Sequence, residues 1–234
     1  MASEINLDFD RPERIGLSEA VFCLGKTPAQ VAEAIAIAQA RNLSMLLTRL
    51  DPPAFAALPA PAQAALDYDP PSRTAVVGAP RRAEGEPLVA VVTAGTSDLP
   101  VGREALRTLA FYGVGAREIA DVGVAGLWRI LKHEQELRRY PAVIVVAGME
   151  GALFSVVAGL VGGLVVAVPT STGYGAARGG ETALHAALAS CAPGLVTVNI
   201  DNGYGAACAA IRALGRGVRE TAAASGRAAP AARG

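Results

Sequence analysis

The stretch "AVIVVAGMEGALFSVVAGLVGGLVVAVPTSTGYG", Ala142 to Gly175, decides the fold. It opens with one short apolar run, Ala142–Gly148, and closes on a second, Leu164–Pro169, followed by "TSTGYG". Between them "SVVAGLV" reads as a helix. Taken as one segment, Gly151 to Val168 is long and apolar enough for a membrane span. Gly162-Gly163 splits it, Pro169 ends it, and it lacks the basic flanks that orient a span. A buried helix followed by a buried strand is the better reading, and no membrane role is expected.

The same alternation runs outward in both directions. "LVAVVT" (Leu88–Thr93) is an apolar strand, and a helix follows over roughly Val101 to Tyr112. "REIADVG" is the next strand, with a helix through "LWRILKHEQELRR". Downstream, the helix "ETALHAALAS" leads to Cys191, the strand "LVTVNI" and the helix "DNGYGAACAAIRALG". Apolar strands alternating with helices predict a three-layer α/β domain over 88–215, its parallel sheet covered on both faces. Such sheets bind ligands at the carboxyl ends of their strands, near a topological switch point.

Residues 1–73 form a small N-terminal region. There "GKTPAQVAEAIAIAQAR" opens a helix, with Thr27 as N-cap, Pro28 at the first helical position and Gln30 completing a capping box. Proline clusters follow, and 74–87 is read as a linker with room for a short strand. The Ala/Arg/Gly-rich segment 216–234 is expected to be a disordered tail.

The 234 residues are 52% hydrophobic with zero formal net charge, so no global field attracts nucleic acid or an anionic membrane. Three cysteines without regular spacing fit a reducing, cytoplasmic setting rather than a disulfide framework. The opening "MASEINLDFDRPER" has no apolar run and is not expected to be a signal peptide. No Cys/His array has metal-site spacing, and no Walker lysine or GxGxxG appears.

The expected strand ends carry small and hydroxylated residues: Thr93, Gly95, Thr96, Ser97 and Asp98; Gly148, Met149, Glu150 and Gly151; Thr170, Ser171, Gly173 and Tyr174. Several such loops on one sheet edge make a cradle of backbone N–H groups suited to a nucleotide-like anion. Two readings stand for Glu150: a helix N-terminal acid favoured by the dipole, or a metal ligand or general acid/base. Two also stand for Cys191, at the joint where a helix breaks before a strand: a packing thiol or a reactive one. Cys23 and Cys208 read as buried packing thiols.

"TAGTSDLPVGREA", "DVGVAGLWRIL", "VVAGMEGALFSVVAGLV", "VVAVPTSTGYG", "ALASCAPGLVTVNIDNGYGAA" and "LDFDRPERIG…LGKTPAQ" resemble the motifs of pyridinium-3,5-biscarboxylic acid mononucleotide synthases. These enzymes open the synthesis of the nickel-pincer cofactor of lactate racemase. The resemblance runs from about Leu7 to Gly215. Its C-terminal part is similar in turn to the phosphoribosylaminoimidazole carboxylases of purine synthesis, with a flavodoxin-like sheet.

The resemblance implies carboxylation of nicotinic acid adenine dinucleotide at ring position 5 by CO2 or bicarbonate, and hydrolysis of its phosphoanhydride to AMP. It makes Cys191 the nucleophile that adds to the pyridine ring. It implies a divalent ion, usually Mg²⁺, held by Glu150 and Asp10, with Asp8 as a lesser choice. Arg11, Arg14 and Lys26 would bind the diphosphate or AMP half, with surface salt bridges as the plain alternative. A homo-oligomer, an octamer in the related carboxylases, is implied as well.

The chain departs from these families at three points. Ala152 stands where the purine enzymes have a proton-shuttling histidine, Phe154 stands for a proline, and Trp128 for a histidine. The first departure argues against the purine reaction. An aminoimidazole ribonucleotide carboxylase and a catalytically inactive nucleotide-binding regulator remain as competing readings. Because Cys191 precedes its strand, it is expected opposite the strand-end loops. It would then meet a cradle of another subunit, unless the preceding helix is no plain crossover.

Overall fold

A computed structural model describes residues 5–215; the expected tail, 216–234, lies outside them. The elements in order are α1 (Arg11–Ile15), β1 (Ala20–Phe22), α2 (Pro28–Ala40), β2 (Met45–Thr48), α3 (Pro52–Ala56), α4 (Ala60–Ala64), β3 (Leu66–Asp69) and β4 (Thr74–Val77). Then come β5 (Val89–Thr93), α5 (Leu99–Phe111), β6 (Ala116–Ile119), α6 (Trp128–Leu131), α7 (Glu134–Leu137), β7 (Ala142–Ala147) and α8 (Ala152–Leu160). The last are β8 (Leu164–Pro169), α9 (Glu181–Leu188), β9 (Leu195–Thr197) and α10 (Gly203–Ala213).

The strands β5 to β9 form one parallel sheet in the order β6-β5-β7-β8-β9. That is the flavodoxin-like order, and it places the switch point between β5 and β7. The period of two in a strand sorts the apolar side chains into two layers. Val89 and Val91 of β5, with Ile144 and Val146 of β7, pack under α5 and α10. Ala90 and Val92, with Val143 and Val145, face Leu153, Phe154 and Val157 of α8 and Ala183 of α9. Every residue of β5 and β7 is buried, which is why those runs show no polar alternation. The hydrophobic segment that could have passed for a membrane span is α8 followed by β8. No helix among the described residues is long and apolar enough to cross a membrane.

The N-terminal sheet has the order β1-β2-β4-β3, with β1 and β2 parallel and the other pairs antiparallel. Thr74–Val77, in the segment read from sequence as a linker with room for a short strand, is an inner strand of this sheet, so the N-terminal unit runs past Arg73. The sheet is covered on both faces. Met45 and Leu47 pack with Val31 and Ile35 of α2. Leu46 and Val76 join the core under α5, as does Leu17. Arg107 of α5 fixes the orientation by donating to the Asp67 carboxylate at 3.0 Å and to its carbonyl at 2.8 Å.

The capping box of α2 is present: Gln30 N donates to Thr27 Oγ1 at 3.2 Å, and Thr27 N to Gln30 Oε1 at 3.0 Å. The stretch "LWRILKHEQELRR" is two short helices rather than one, broken at Lys132-His133. The strand expected in "REIADVG" ends at Ile119, because Asp121 takes a left-handed φ of 56° that turns the chain toward α6.

Candidate active site

The loops after β5, β6 and β7 enclose a cavity of about 450 Å³ at the carboxyl edge of the sheet, over the switch point. Gly95, Ser97 and Asp98 reach it from β5; Gly148, Met149 and Glu150 from β7; Thr172 from β8. The N-terminus of α8 opens onto it through Ala152 and Leu153, whose first-turn N–H groups have no partner within the helix.

Asp98 is the brace of this site. It is 3% exposed. Its Oδ2 accepts from Gly95 N at 2.9 Å, and its Oδ1 accepts from the Thr170 hydroxyl at 2.6 Å. Both oxygens of this strand-end aspartate are therefore engaged in tying the β5 loop to the end of β8. Thr93 and Thr170, expected to touch substrate, are buried, and their hydroxyls serve the protein. Thr93 Oγ1 accepts from Asp121 N at 3.4 Å.

Gly148 lies beneath the Asp98–Thr170 bridge. A Cβ there would stand 2.3 Å from the Thr172 carbonyl and 2.7 Å from Thr170 Oγ1. Met149 takes a φ of 52°, costly for a residue with a side chain, and Gly151 one of 66°. This turn presents the exposed Glu150 to the cavity.

The loop after β6 and the start of α6 add two residues that the sequence reading had not placed in a site. Arg129 and Asp121 line the cavity and pair at 3.4 Å, and Arg129 also donates to the Asp121 carbonyl at 3.2 Å. Arg129 is thus a pre-oriented cation facing the cavity. Its signal in the sequence was weak: an arginine after Trp128 with nothing to tell it from a surface charge.

Other expected site residues lie elsewhere. Thr96 and Ser171 are exposed and do not line the cavity; Ser171 N donates to Asp201 Oδ1 at 2.8 Å. Gly173 holds the β8 loop against Met149, while Tyr174 projects at 82% exposure. Asp10, Arg11, Arg14 and Lys26 belong to the N-terminal unit and do not line the cavity. Arg14 grips the Asp8 carboxylate in two bonds of 3.0 and 2.6 Å, which holds that carboxyl below its ordinary range. The plain salt-bridge alternative is thus what Arg14 forms.

Among the described residues, no group of three or more His, Cys, Asp or Glu is placed to hold a metal ion. Glu150 alone among the expected metal ligands lines the cavity. A single carboxylate fits Mg²⁺, which keeps most of its ligands from water and substrate phosphates.

Of the three thiols, Cys191 is exposed, Cys23 is buried and Cys208 half-buried. Burial pushes Cys23 up to about 12 and Cys208 up to about 11. Cys191 does not line the cavity. The pairing of β9 with β8 is parallel, Leu195 opposite Val165, so α9 is a crossover and Cys191 enters from the amino edge of the sheet. Its loop rests against α8, where Ser190 and Ser155 hydroxyls meet at 2.8 Å.

The chain thus carries a doubly covered parallel sheet of flavodoxin-like strand order with a cavity at its switch point. The chain belongs to the AIR carboxylase family, which it matches over residues 88–228; residues 2–79 match the LarB/PurE-like N-terminal domain. An uncharacterized protein of Methanocaldococcus jannaschii is 49% identical over 120 residues, which are 50% of this chain and 46% of that relative. The chain thus spans about half the length of that curated relative. Two Treponema denticola crystal structures are also similar. The PurE2 variant has a TM-score of 0.48 at 19% identity, and PurE 0.45 at 22%. Each covers 56% of this chain and 81% of its own.

Proposed function

We propose that this chain carboxylates nicotinic acid adenine dinucleotide at ring position 5 and hydrolyses its phosphoanhydride, releasing a pyridine biscarboxylate mononucleotide and AMP. The observation that carries this reading is the place of Ala152. It lines the cavity at the start of α8, where the purine carboxylases carry the imidazole that moves a proton. A pyridinium ring needs an added nucleophile instead, and the chain offers an exposed thiol in Cys191.

A pyridinium ring is too electron-poor to attack CO2. Addition of the Cys191 thiolate at position 4 makes it a dihydropyridine whose position 5 is an enamine carbon. That carbon bonds to CO2. Loss of its proton to solvent then expels the thiolate and restores the aromatic ring. Arg129 holds a phosphate of the substrate, and the α8 N-terminus supports the new carboxylate. Glu150 would hold Mg²⁺, which would supply charge neutralisation for the hydrolysis of the phosphoanhydride.

Since Cys191 enters at the amino edge, a second copy of the chain supplies the thiol in a homo-oligomer. The testing experiment incubates the protein with the dinucleotide, bicarbonate and Mg²⁺, wild type beside Cys191→Ala, read by mass spectrometry. A doubly carboxylated mononucleotide plus AMP from the wild type alone supports the reading. Binding without product in the wild type overturns it.

A further inference from the structure

Cysteine is among the residue types most often buried; Cys23 follows that rule, while Cys191 is exposed. The loop that carries Cys191 has little apolar burial to hold it, since Cys191, Pro193 and Gly194 are all exposed. Two hydroxyls hold it instead. Ser190 Oγ accepts from Ala192 N at 3.2 Å, closing the loop across Cys191, and meets Ser155 Oγ of α8 at 2.8 Å. We infer that Ser155 and Ser190 are positioning residues for the Cys191 thiol, their hydroxyl pair locking the thiol's loop onto the helix that also walls the cavity.

The helix α8 reads "ALFSVVAGL", and Ser155 is its one polar side chain. Leu153, Phe154 and Val157 are buried against the sheet, while Ser155 is half-buried and reaches the loop after α9. Serine is a poorer helix former than alanine, because its hydroxyl competes for backbone groups. Here that hydroxyl is engaged by a residue 35 positions further along the chain. Ala152 and Leu153 line the cavity, and Ser155 lies one turn on, about 4.5 Å along the helix axis from Ala152. One rigid helix thus holds the cavity wall at its start and the thiol's loop a turn later.

The chain on the far side of the thiol is constrained as well. Pro193 has a fixed φ, and Gly194 takes a left-handed φ of 81° into β9, where Leu195 pairs with Val165. Cys191 is therefore exposed yet held, which suits a nucleophile that must approach a ring carbon with its orbital aligned. Neither serine lines the cavity, so the pair acts on a substrate there only through the thiol. The positioning role rests on the function proposed above; the hydroxyl lock does not.

The test compares Ser155→Ala, Ser190→Ala, the double variant and Ser190→Thr with the wild type, each as the full chain. Amide hydrogen exchange reads the lock without substrate: Ser155→Ala should speed exchange at Ala192 by about fivefold or more. Kinetics with the dinucleotide, bicarbonate and Mg²⁺ read the positioning. Each alanine variant should lower kcat about tenfold or more and leave KM within about twofold, because the cavity itself is unchanged. The double variant should fall no further than the lower single one, since the two hydroxyls form one contact. Ser190→Thr, which keeps a hydroxyl, should regain kcat. Circular dichroism matching the wild type, and iodoacetamide labelling of Cys191 at the wild-type rate, exclude a misfolded chain and a blocked thiol. Unchanged kcat in the alanine variants, a raised KM at constant kcat, or unchanged exchange at Ala192 overturns the proposal while leaving the function proposed above in place. A wild type that turns over no dinucleotide overturns that function, and the positioning role with it, whatever the exchange shows.

Discussion

The Thr170 hydroxyl donates to Asp98 at 2.6 Å, joining residues 72 apart in the chain. These residues follow β8 and β5, which do not touch; β7 runs between them. The bridge therefore crosses the end of β7, directly over Gly148. One hydrogen bond thus explains three features of the site: a buried aspartate, a buried threonine, and a glycine whose Cβ has nowhere to go.

Removing the bridge should be felt as stability. Asp98→Ala leaves the buried Thr170 hydroxyl and the Gly95 N–H unpaired, at a cost of about 2–4 kcal/mol. Asp98→Asn retains one acceptor and should lose less. Urea unfolding of the two variants beside the wild type gives the ordering; equal midpoints for all three would contradict the brace.

At Gly148 the obstacle is steric. Gly148→Ala pushes a methyl group into the Thr172 carbonyl, so the β8 loop must move. A loss of roughly 1–3 kcal/mol is expected, together with weaker ligand binding in the cavity. Thermal melts with and without the pyridine mononucleotide would show both, and an unshifted melt would mean that the loop yields freely.

Thiol reactivity separates the cysteines. A thiol raised to about 11, as Cys208 is, is ionised to only about one part in a thousand at pH 8. Cys23 is raised further and buried. Brief treatment of the native protein with iodoacetamide at pH 8 should add one label, on Cys191. Peptide mapping that finds Cys208 labelled as fast would refute the assignment.

Complementation tests whether the thiol comes from another copy. Cys191→Ala and Glu150→Gln chains are each expected to be inactive. Co-refolded in equal amounts, they should regain about a quarter of wild-type activity if each site pairs the cavity of one copy with Cys191 of a second. No regain, with mixed oligomers confirmed by native mass spectrometry, would place both groups in one chain.

The Arg49–Glu104 pair makes a prediction about pH. Burial pushes the Glu104 carboxyl above its ordinary value of 4.5, while Arg49, the backbone at Tyr204 and Gly203, and Arg73 pull it back. A raised native pKa means that the folded state holds the proton more tightly than the unfolded one. Stability then falls as pH rises from 4.5 through the raised value. Arg49→Met removes the main opposing charge, so the fall becomes larger. Urea midpoints from pH 5 to pH 8 should converge toward wild type at the acid end; parallel curves would show that Arg49 does not govern this carboxyl.

The sequence by itself determined the elements and their class. Continuous short runs of Val and Ala, the capping box at Thr27 and Gln30, and the breaks at Gly162-Gly163 and Pro169 are local signals, acting within a few residues. They sufficed to establish a parallel sheet and to bring Ser97, Gly148 and Glu150 to one edge. Only the tertiary structure decided what the polar side chains do there. Asp98 and Thr170 look like ligand groups in sequence and are partners of each other. Arg129 looks like surface charge and faces a cavity. Arg49 and Glu104 carry no motif, yet they meet across two folding units. Cys191 is near the loops in sequence and at the other edge in space, because a parallel crossover returns the chain to the amino end before each strand. A hydrogen bond between distant residues leaves no periodicity behind, so these assignments exist only once the backbone has closed.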